Sequence, residues 1–246
     1  MSNGFYTAAQ AMLLQQRRLN TISNNIANVK TNGYKKEETV ISTFEENLLY
    51  RLENNQKTLV GSESKLQGID EINFRFDVAN LEDTNRSLDI ALVSEGFFTV
   101  KQNNTLFFTR DGSFNIDAEG FLITSNGSRV QGTKGDIRVV DDSFIVNEAG
   151  IVMSSKGQVI DTLLIQAPND QSNLVKMNNG YFTESTGNMS QSIPWVIQSM
   201  LEGSNVDVTE EMTQLIEVQR NFQSVSNALK AIDQLNARAF SEIGKV

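Results

Sequence analysis

Neither cysteine nor histidine occurs anywhere in the chain. Thiol nucleophiles, disulfides, thiolate metal sites and every imidazole acid, base or ligand are therefore removed. Serine–histidine and cysteine–histidine hydrolysis are excluded, while carboxylate, lysine or tyrosine chemistry stays formally open. Proline occurs only twice, which argues against a proline-rich linker. No run approaches the roughly 20 apolar residues that a membrane-spanning helix needs. The N-terminal MSNGFYTAAQAMLLQQRR has a short apolar patch with no basic stretch before it and no cleavage site after it. It does not read as a secretory signal, so any exit from the cytoplasm is expected to use another route. Positive charge is also scarce: 21 Lys and Arg stand against 30 Asp and Glu, giving a net charge of −9 and a pI near 4.7. Such a balance disfavours a phosphate-tracking surface, and nucleic acid is not an expected partner. The 246 residues suffice for one large domain or two modest ones, with 39% hydrophobic residues to build a core.

The ends of the chain carry helical stripes. Phe5, Ala8, Met12, Gln15, Leu19, Ile22, Ile26 and Val29 alternate spacings of 3 and 4, an a/d seam with one polar member. Ser2 or Asn3 is the expected cap, and Asn32-Gly33 the expected stop. At about 1.5 Å per residue the segment spans roughly 40 Å. Leu215, Val218, Phe222, Val225, Leu229, Ile232, Asn236, Ala239 and Ile243 repeat the pattern at the far end. There Thr209 is the expected cap, with Glu210 and Glu211 complementing the helix dipole. Each stripe has little to bury it except the other, and an isolated one is expected to be only partly helical.

The middle of the chain follows a period of two. FFTVKQNNTLFFTRDGSF predicts a hairpin around Asn103-Asn104. DGSFNIDAEGFLITSNGSRV (111–130) lies over DDSFIVNEAGIVMSSKGQVI (141–160), with Asp111/Asp141, Ser113/Ser143, Phe114/Phe144, Gly120/Gly150, Ser125/Ser155 and Gly127/Gly157 coinciding. Each unit reads strand, turn, strand, turn, strand. The expected fold class is α+β: N- and C-terminal helices forming a coiled-coil domain, with an inserted antiparallel β-rich domain. Its boundaries are placed at 1–38 plus 204–246 for the helices, 39–70 for a connector and 71–203 for the β-rich part. FEENLLYRLENNQ is compatible with continued helix or with an extended connector.

NTISNNIANVKTNGYKK (20–36) resembles the N-terminal signature of the bacterial flagellar rod and hook axial proteins. SNVDVTEEMTQLIEVQRNFQ (204–223) resembles their C-terminal signature, and EGFFTV with FFTRDGSFNIDAEGFLITSNGSRVQG resembles their central segment. The resemblance implies a structural, non-enzymatic subunit of the flagellar basal body that is exported by the flagellar type III apparatus without a cleaved signal. Its terminal helices pack toward the axis of a tube that transmits torque. The implied partners are copies of itself and other rod and hook proteins, with no cofactor, metal or small-molecule substrate. The length leaves no room for the outer domains of a typical hook protein, and FEENLLY resembles the distal-rod member; the proximal-rod member is the nearest competitor. A short hook-type protein, or a cell-wall-binding β-domain on a helical stalk, are the alternatives.

Candidate interface residues follow from the polar faces of the two helices. These are rich in Asn, Gln and Ser rather than Lys and Glu, and charge depletion marks surfaces that pair with other protein. The candidates are Leu19, Ile22, Asn24, Asn25, Ile26, Asn28, Asn32, Gly33, Leu215, Val218, Gln219, Arg220, Phe222, Val225 and Leu229. Arg220 has two readings, a solvated arginine or an anchor for a neighbouring carboxylate, with Glu217 as local competitor. The acidic NIDAEG lacks the alternating ligands of a calcium loop, and turn chemistry accounts for it. Glu37-Glu38, Glu45-Glu46 and Glu210-Glu211 are sequence neighbours that point apart, so none forms an acid–base pair. A glycosidase would need two inward-facing carboxylates, whereas the acids of the middle region lie mostly in turns.

Overall fold

The computed structural model describes residues 3–41, 46–53, 56–64, 69–140, 142–177, 179–185 and 188–243, and it divides into two units. The first comprises 1–27, 37–73 and 207–246, and the second 28–36 and 74–206. The expected cap Ser2 lies outside the described residues, as do the side chains of Phe5, Asn236, Ala239 and Ile243.

The first unit holds α1 (Asn3–Ala27) and α2 (Val208–Ile243), which pack side by side. It also holds strands β1 (Glu37–Ile41) and β4 (Ile69–Phe74), which pair as a two-stranded sheet. Strands β2 (Glu46–Glu53) and β3 (Gln56–Ser64) form an antiparallel hairpin with a bulge between Leu49 and Tyr50. Of FEENLLYRLENNQ, read from sequence as helix or extended connector, residues 46–53 form the first strand of this hairpin; the alternation of Leu48, Tyr50 and Leu52 is a strand period.

Both helix ends differ from expectation for local reasons. α1 stops at Ala27 rather than continuing to Val29. Asn28 closes a turn instead: its carbonyl accepts from Thr31 N at 3.0 Å and its side-chain oxygen from the Thr31 hydroxyl at 3.2 Å. α2 starts one residue after Asp207, and Asp207, not Thr209, is the cap. Its carboxylate accepts from Thr209 N at 2.8 Å and Glu210 N at 3.3 Å. Thr209 is already inside the helix, where its carbonyl accepts from Thr213.

The second unit is antiparallel β with one short 3-10 turn at Gln171–Asn173. A ten-stranded sheet runs in the order 174–176, 182–184, 105–109, 97–102, 129–132, 122–124, 114–116, with 135–136, 165–168 and 189–191 attached off this path. A three-stranded sheet (145–146, 151–153, 159–162) and two paired strands (196–198 with 90–92, 200–202 with 81–83) complete it. Its core gathers Ile90, Leu92, Phe98, Val100, Phe114, Leu122, Ile137, Val152, Leu163 and Ile165, all virtually excluded from water.

The duplicated sequence folds twice in the same way. Asp117 and Asn147 each receive the amide four residues on, from Phe121 at 2.7 Å and Ile151 at 2.9 Å. Gly120 N bonds Asp117 O and Gly150 N bonds Asn147 O; Gly127 N bonds Thr124 O and Gly157 N bonds Ser154 O. Asp117 Oδ1 also accepts from Glu119 N at 3.0 Å, and its Oδ2 pairs with Arg129 at 3.6 Å, so this acid serves its turn and one ion pair. Asn103 and Asn104 have φ of 49° and 68°, the left-handed pair that a two-residue hairpin turn requires.

Gly33 is required twice over. Its φ is +66°, and a Cβ there would lie 2.4 Å from the carbonyl carbon of Arg110 and 2.5 Å from the amide nitrogen of Asp111. Gly33→Ala is expected to cost at least about 2 kcal/mol, because neither the backbone of Gly33 nor that of Arg110 can yield cheaply. Chemical denaturation monitored by tryptophan fluorescence measures it; an unchanged midpoint would refute the close approach.

Candidate functional site

Between the helices, the seam residues divide by depth. Ile22 and Val218 are buried, while Leu19, Ile26, Leu215, Phe222, Val225 and Leu229 are half-buried. These eight lie on the stripes that the sequence marked. The polar candidates divide differently. Asn24, Gln219 and Arg220 are exposed, and Asn28 and Asn32 are half-buried. Arg220 makes no ion pair with Glu217 or any other acid among the described residues.

Asn25 is buried inside the first unit. Its Nδ2 donates to Glu37 O at 2.9 Å and to Glu211 Oε2 at 3.1 Å, while its Oδ1 accepts from Glu37 N at 3.0 Å. A carboxamide is suited to this because it donates and accepts at once, satisfying a strand's amide and carbonyl together. Asn25 thus joins α1 to β1 and α2, with Thr21 adding a hydroxyl contact to Thr39 at 3.1 Å. Glu211 lies in the first turn of α2, as expected, and is fully buried there. Gly33 likewise faces the interior of its own unit.

The second unit contains a buried charge cluster that sequence reading missed. Glu202 Oε1 accepts from Lys35 Nζ at 2.6 Å and from Ala79 N at 3.1 Å, and Oε2 accepts from Arg110 Nη1 at 3.2 Å. The Glu202 carbonyl accepts from Gly33 N at 2.8 Å, and Lys35 Nζ reaches Asp77 O at 2.8 Å. All three charged side chains are essentially excluded from water. Burial pushes Lys35 below its ordinary value; the Glu202 carboxylate opposes that shift and Arg110 adds to it. Burial lowers Arg110 as well, again opposed by Glu202. Next to the cluster, Asn205 Oδ1 accepts from Lys36 N at 2.7 Å and its Nδ2 donates to Arg75 O at 2.7 Å. The available signal was the acid at position 202, which closes the otherwise apolar strand Met200–Glu202 just before Gly203.

Residues 5–35 match the family described as flagella basal body rod protein, and residues 91–160 the flagellar hook protein FlgE/F/G D1 domain. Residues 197–241 match the flagellar basal body rod FlgEFG protein C-terminal family. The flagellar basal-body rod protein FlgF of Caulobacter vibrioides is 30% identical over 253 residues, covering 100% of both chains. The chain belongs to the flagellar basal-body rod protein family. The flagellar hook-basal body complex protein FlhO of Bacillus subtilis is 29% identical over 100% of both chains, and the flagellar basal-body rod protein FlgG of Borreliella burgdorferi is 29% identical over 96% of both. This is a family of structural rod proteins. In this rod-family chain the three matched stretches each supply one member of the buried cluster: Lys35 from the first, Arg110 from the second, Glu202 from the third.

Glu202→Gln leaves two buried cations without a counter-charge and is expected to cost about 3–5 kcal/mol. Asn25→Ala strands a strand amide and a carbonyl and is expected to cost about 1–3 kcal/mol. Urea unfolding of each purified variant reads both, and a loss below 1 kcal/mol for Glu202→Gln would show the cluster to be water-filled.

Proposed function

We propose that this structural subunit of the basal-body rod polymerises through its terminal helices into an axial tube that transmits torque from motor to hook. The observation that carries the proposal is the second apolar face of the helices: Leu13 on α1 is 65% exposed, and Ile216 and Leu235 on α2 are 53% and 66% exposed. These lie off the a/d stripes, on surfaces that carry exposed Asn24, Gln219, Asn221 and Gln223 together with Arg17, Arg220 and Arg238. Apolar anchors among amides and arginines are the composition of a subunit interface, where arginine is enriched and lysine and glutamate are depleted.

In this reading Leu19, Ile22, Ile26, Leu215, Val218, Phe222, Val225 and Leu229 form the coiled-coil seam within one subunit, and Asn24, Asn28, Asn32, Gln219 and Arg220 meet neighbouring subunits. Arg220 anchors a carboxylate there. Asn25 and Gly33 serve the interface indirectly, by fixing where α1 ends. A heterologous, non-closing contact of this kind builds a helical tube. The proposed domain division is a terminal α-helical domain, 1–38 plus 204–246, a connector, 39–70, and a β-rich insertion, 71–203. Subunits reach the tube through the flagellar type III apparatus without a cleaved signal. The partners are copies of this chain and other rod and hook proteins, and the chain has no enzymatic role.

Leu13→Glu combined with Ile216→Glu places charges on that face without touching the seam. Loss of motility is expected, with monomer stability changed by less than about 0.5 kcal/mol. Normal swimming by the double variant would sink the interface reading. Electron microscopy of basal bodies from a deletion strain tests the role itself: a truncated rod without a hook is expected. A complete rod lacking only the hook would favour the hook-type alternative.

A further inference from the structure

Asparagine followed by glycine has a chemistry of its own, and the chain carries that pair at Asn3-Gly4, Asn32-Gly33, Asn126-Gly127 and Asn179-Gly180. The side chains of the first pair lie outside the described residues. Glycine has no Cβ to hinder its backbone nitrogen from reaching the asparagine Cγ. A nitrogen–carbon bond then closes a succinimide, and the displaced Nδ2 group takes the amide proton and leaves as ammonia. Water opens the ring at either carbonyl, giving aspartate or isoaspartate. A glycine N–H that already donates to a carbonyl must leave it first, so the rate follows the cost of opening each site.

The fold treats the three described pairs differently. Gly33 is buried, its nitrogen donates to Glu202 O at 2.8 Å, and its backbone abuts that of Arg110. Opening it pulls the run that carries Lys35 out of the buried charge cluster. Asn126 and Gly127 are exposed, but Gly127 N donates to Thr124 O at 2.9 Å and Asn126 Nδ2 is spent on Asn179 O at 3.2 Å. Asn179 and Gly180 are exposed as well, and Gly180 N lies 3.1 Å from its acceptor, Met177 O. Here the asparagine side chain curls back along the chain: Tyr181 N donates to Asn179 Oδ1 at 3.3 Å. An oxygen bonded to the amide two residues on brings Cγ toward the Gly180 nitrogen between them. The Tyr181 N–H also faces the oxygen on which negative charge gathers as the ring closes. Tyr181 is held in place, since it is buried and its hydroxyl donates to Ser128 Oγ at 3.0 Å.

We infer that Asn179 is a site of spontaneous succinimide formation in the folded chain, and that the Glu202 carbonyl shields Asn32 from the same reaction. The reaction needs only the chain and water, so it is independent of polymerisation. Isoaspartate at 179 adds a backbone carbon to an exposed turn, where a Cβ on Gly180 would meet nothing within 4 Å. At 32 it would push Gly33 off the Arg110 backbone. The full-length protein is incubated folded and in urea at mildly alkaline pH. Peptide mapping by mass spectrometry follows the change from amide to acid at each site, and isoaspartyl methyltransferase labels the isomer. Asn179 is expected to convert at least about tenfold faster than Asn32 in the folded protein, and ahead of Asn126, while in urea the three rates converge. Folded protein in which Asn126 keeps pace with Asn179 overturns the part played by the curled side chain. Conversion of Asn32 at its urea rate overturns the shielding, and a folded chain unchanged at Asn179 overturns the site itself.

Discussion

Glu202 is the residue on which the β-rich unit turns. Its two carboxylate oxygens and its carbonyl hold four groups from three distant stretches: Gly33 and Lys35, Ala79, and Arg110. Removing three charged side chains from water is costly, and their attraction offsets that cost only when the geometry is good and the remaining donors are bonded. Lys35 meets this condition through Asp77, and Arg110 partly, through Leu92 and the Phe97 ring 5.6 Å away. Such a cluster confers register more than net stability. A shift of the run 33–36 that placed Tyr34 where Lys35 lies would leave the Glu202 carboxylate without its ammonium.

The helical unit solves the same problem with a neutral group. Asn25 satisfies both backbone groups of Glu37 and holds Glu211, so a helix, a strand and a second helix meet at one carboxamide. Asparagine lowers helix propensity, and α1 does end two residues later at Ala27. Weak helix formation at this point is a consequence of what the residue must do: the chain has to leave the helix and reach Gly33, where only glycine fits against the Arg110 backbone.

The outward faces follow from these inward commitments. With Asn25 and Glu211 spent inside, the exposed polar surface of the helices carries the amides Asn24, Gln219, Asn221 and Gln223 and charges such as Arg17, Glu217, Arg220 and Lys230, with Leu13, Ile216 and Leu235 between them. Apolar side chains exposed in that setting have no role within one subunit. The proposed packing between subunits gives them one.

Local periodicity determined the two helices, the hairpin at Asn103-Asn104 and the duplicated turns of 111–130 and 141–160, because each depends on spacing within a few residues. Family resemblance followed from three such local signatures in order. Which asparagine faces outward was beyond periodicity: Asn24 and Asn25 are neighbours on one helix, and only Glu37 and Glu211 arriving from elsewhere in the chain bury the second. The cap of α2 was missed by two residues, since Asp207 and Thr209 are both competent and backbone geometry chose between them. The partnership of Lys35, Arg110 and Glu202 lay furthest from reach. A sequence shows three charges among 51 Lys, Arg, Asp and Glu residues (21 + 30), and nothing local marks these as the ones removed from water. Long-range folding decides that, because the energy of a buried ion depends on which partners the backbone delivers to it.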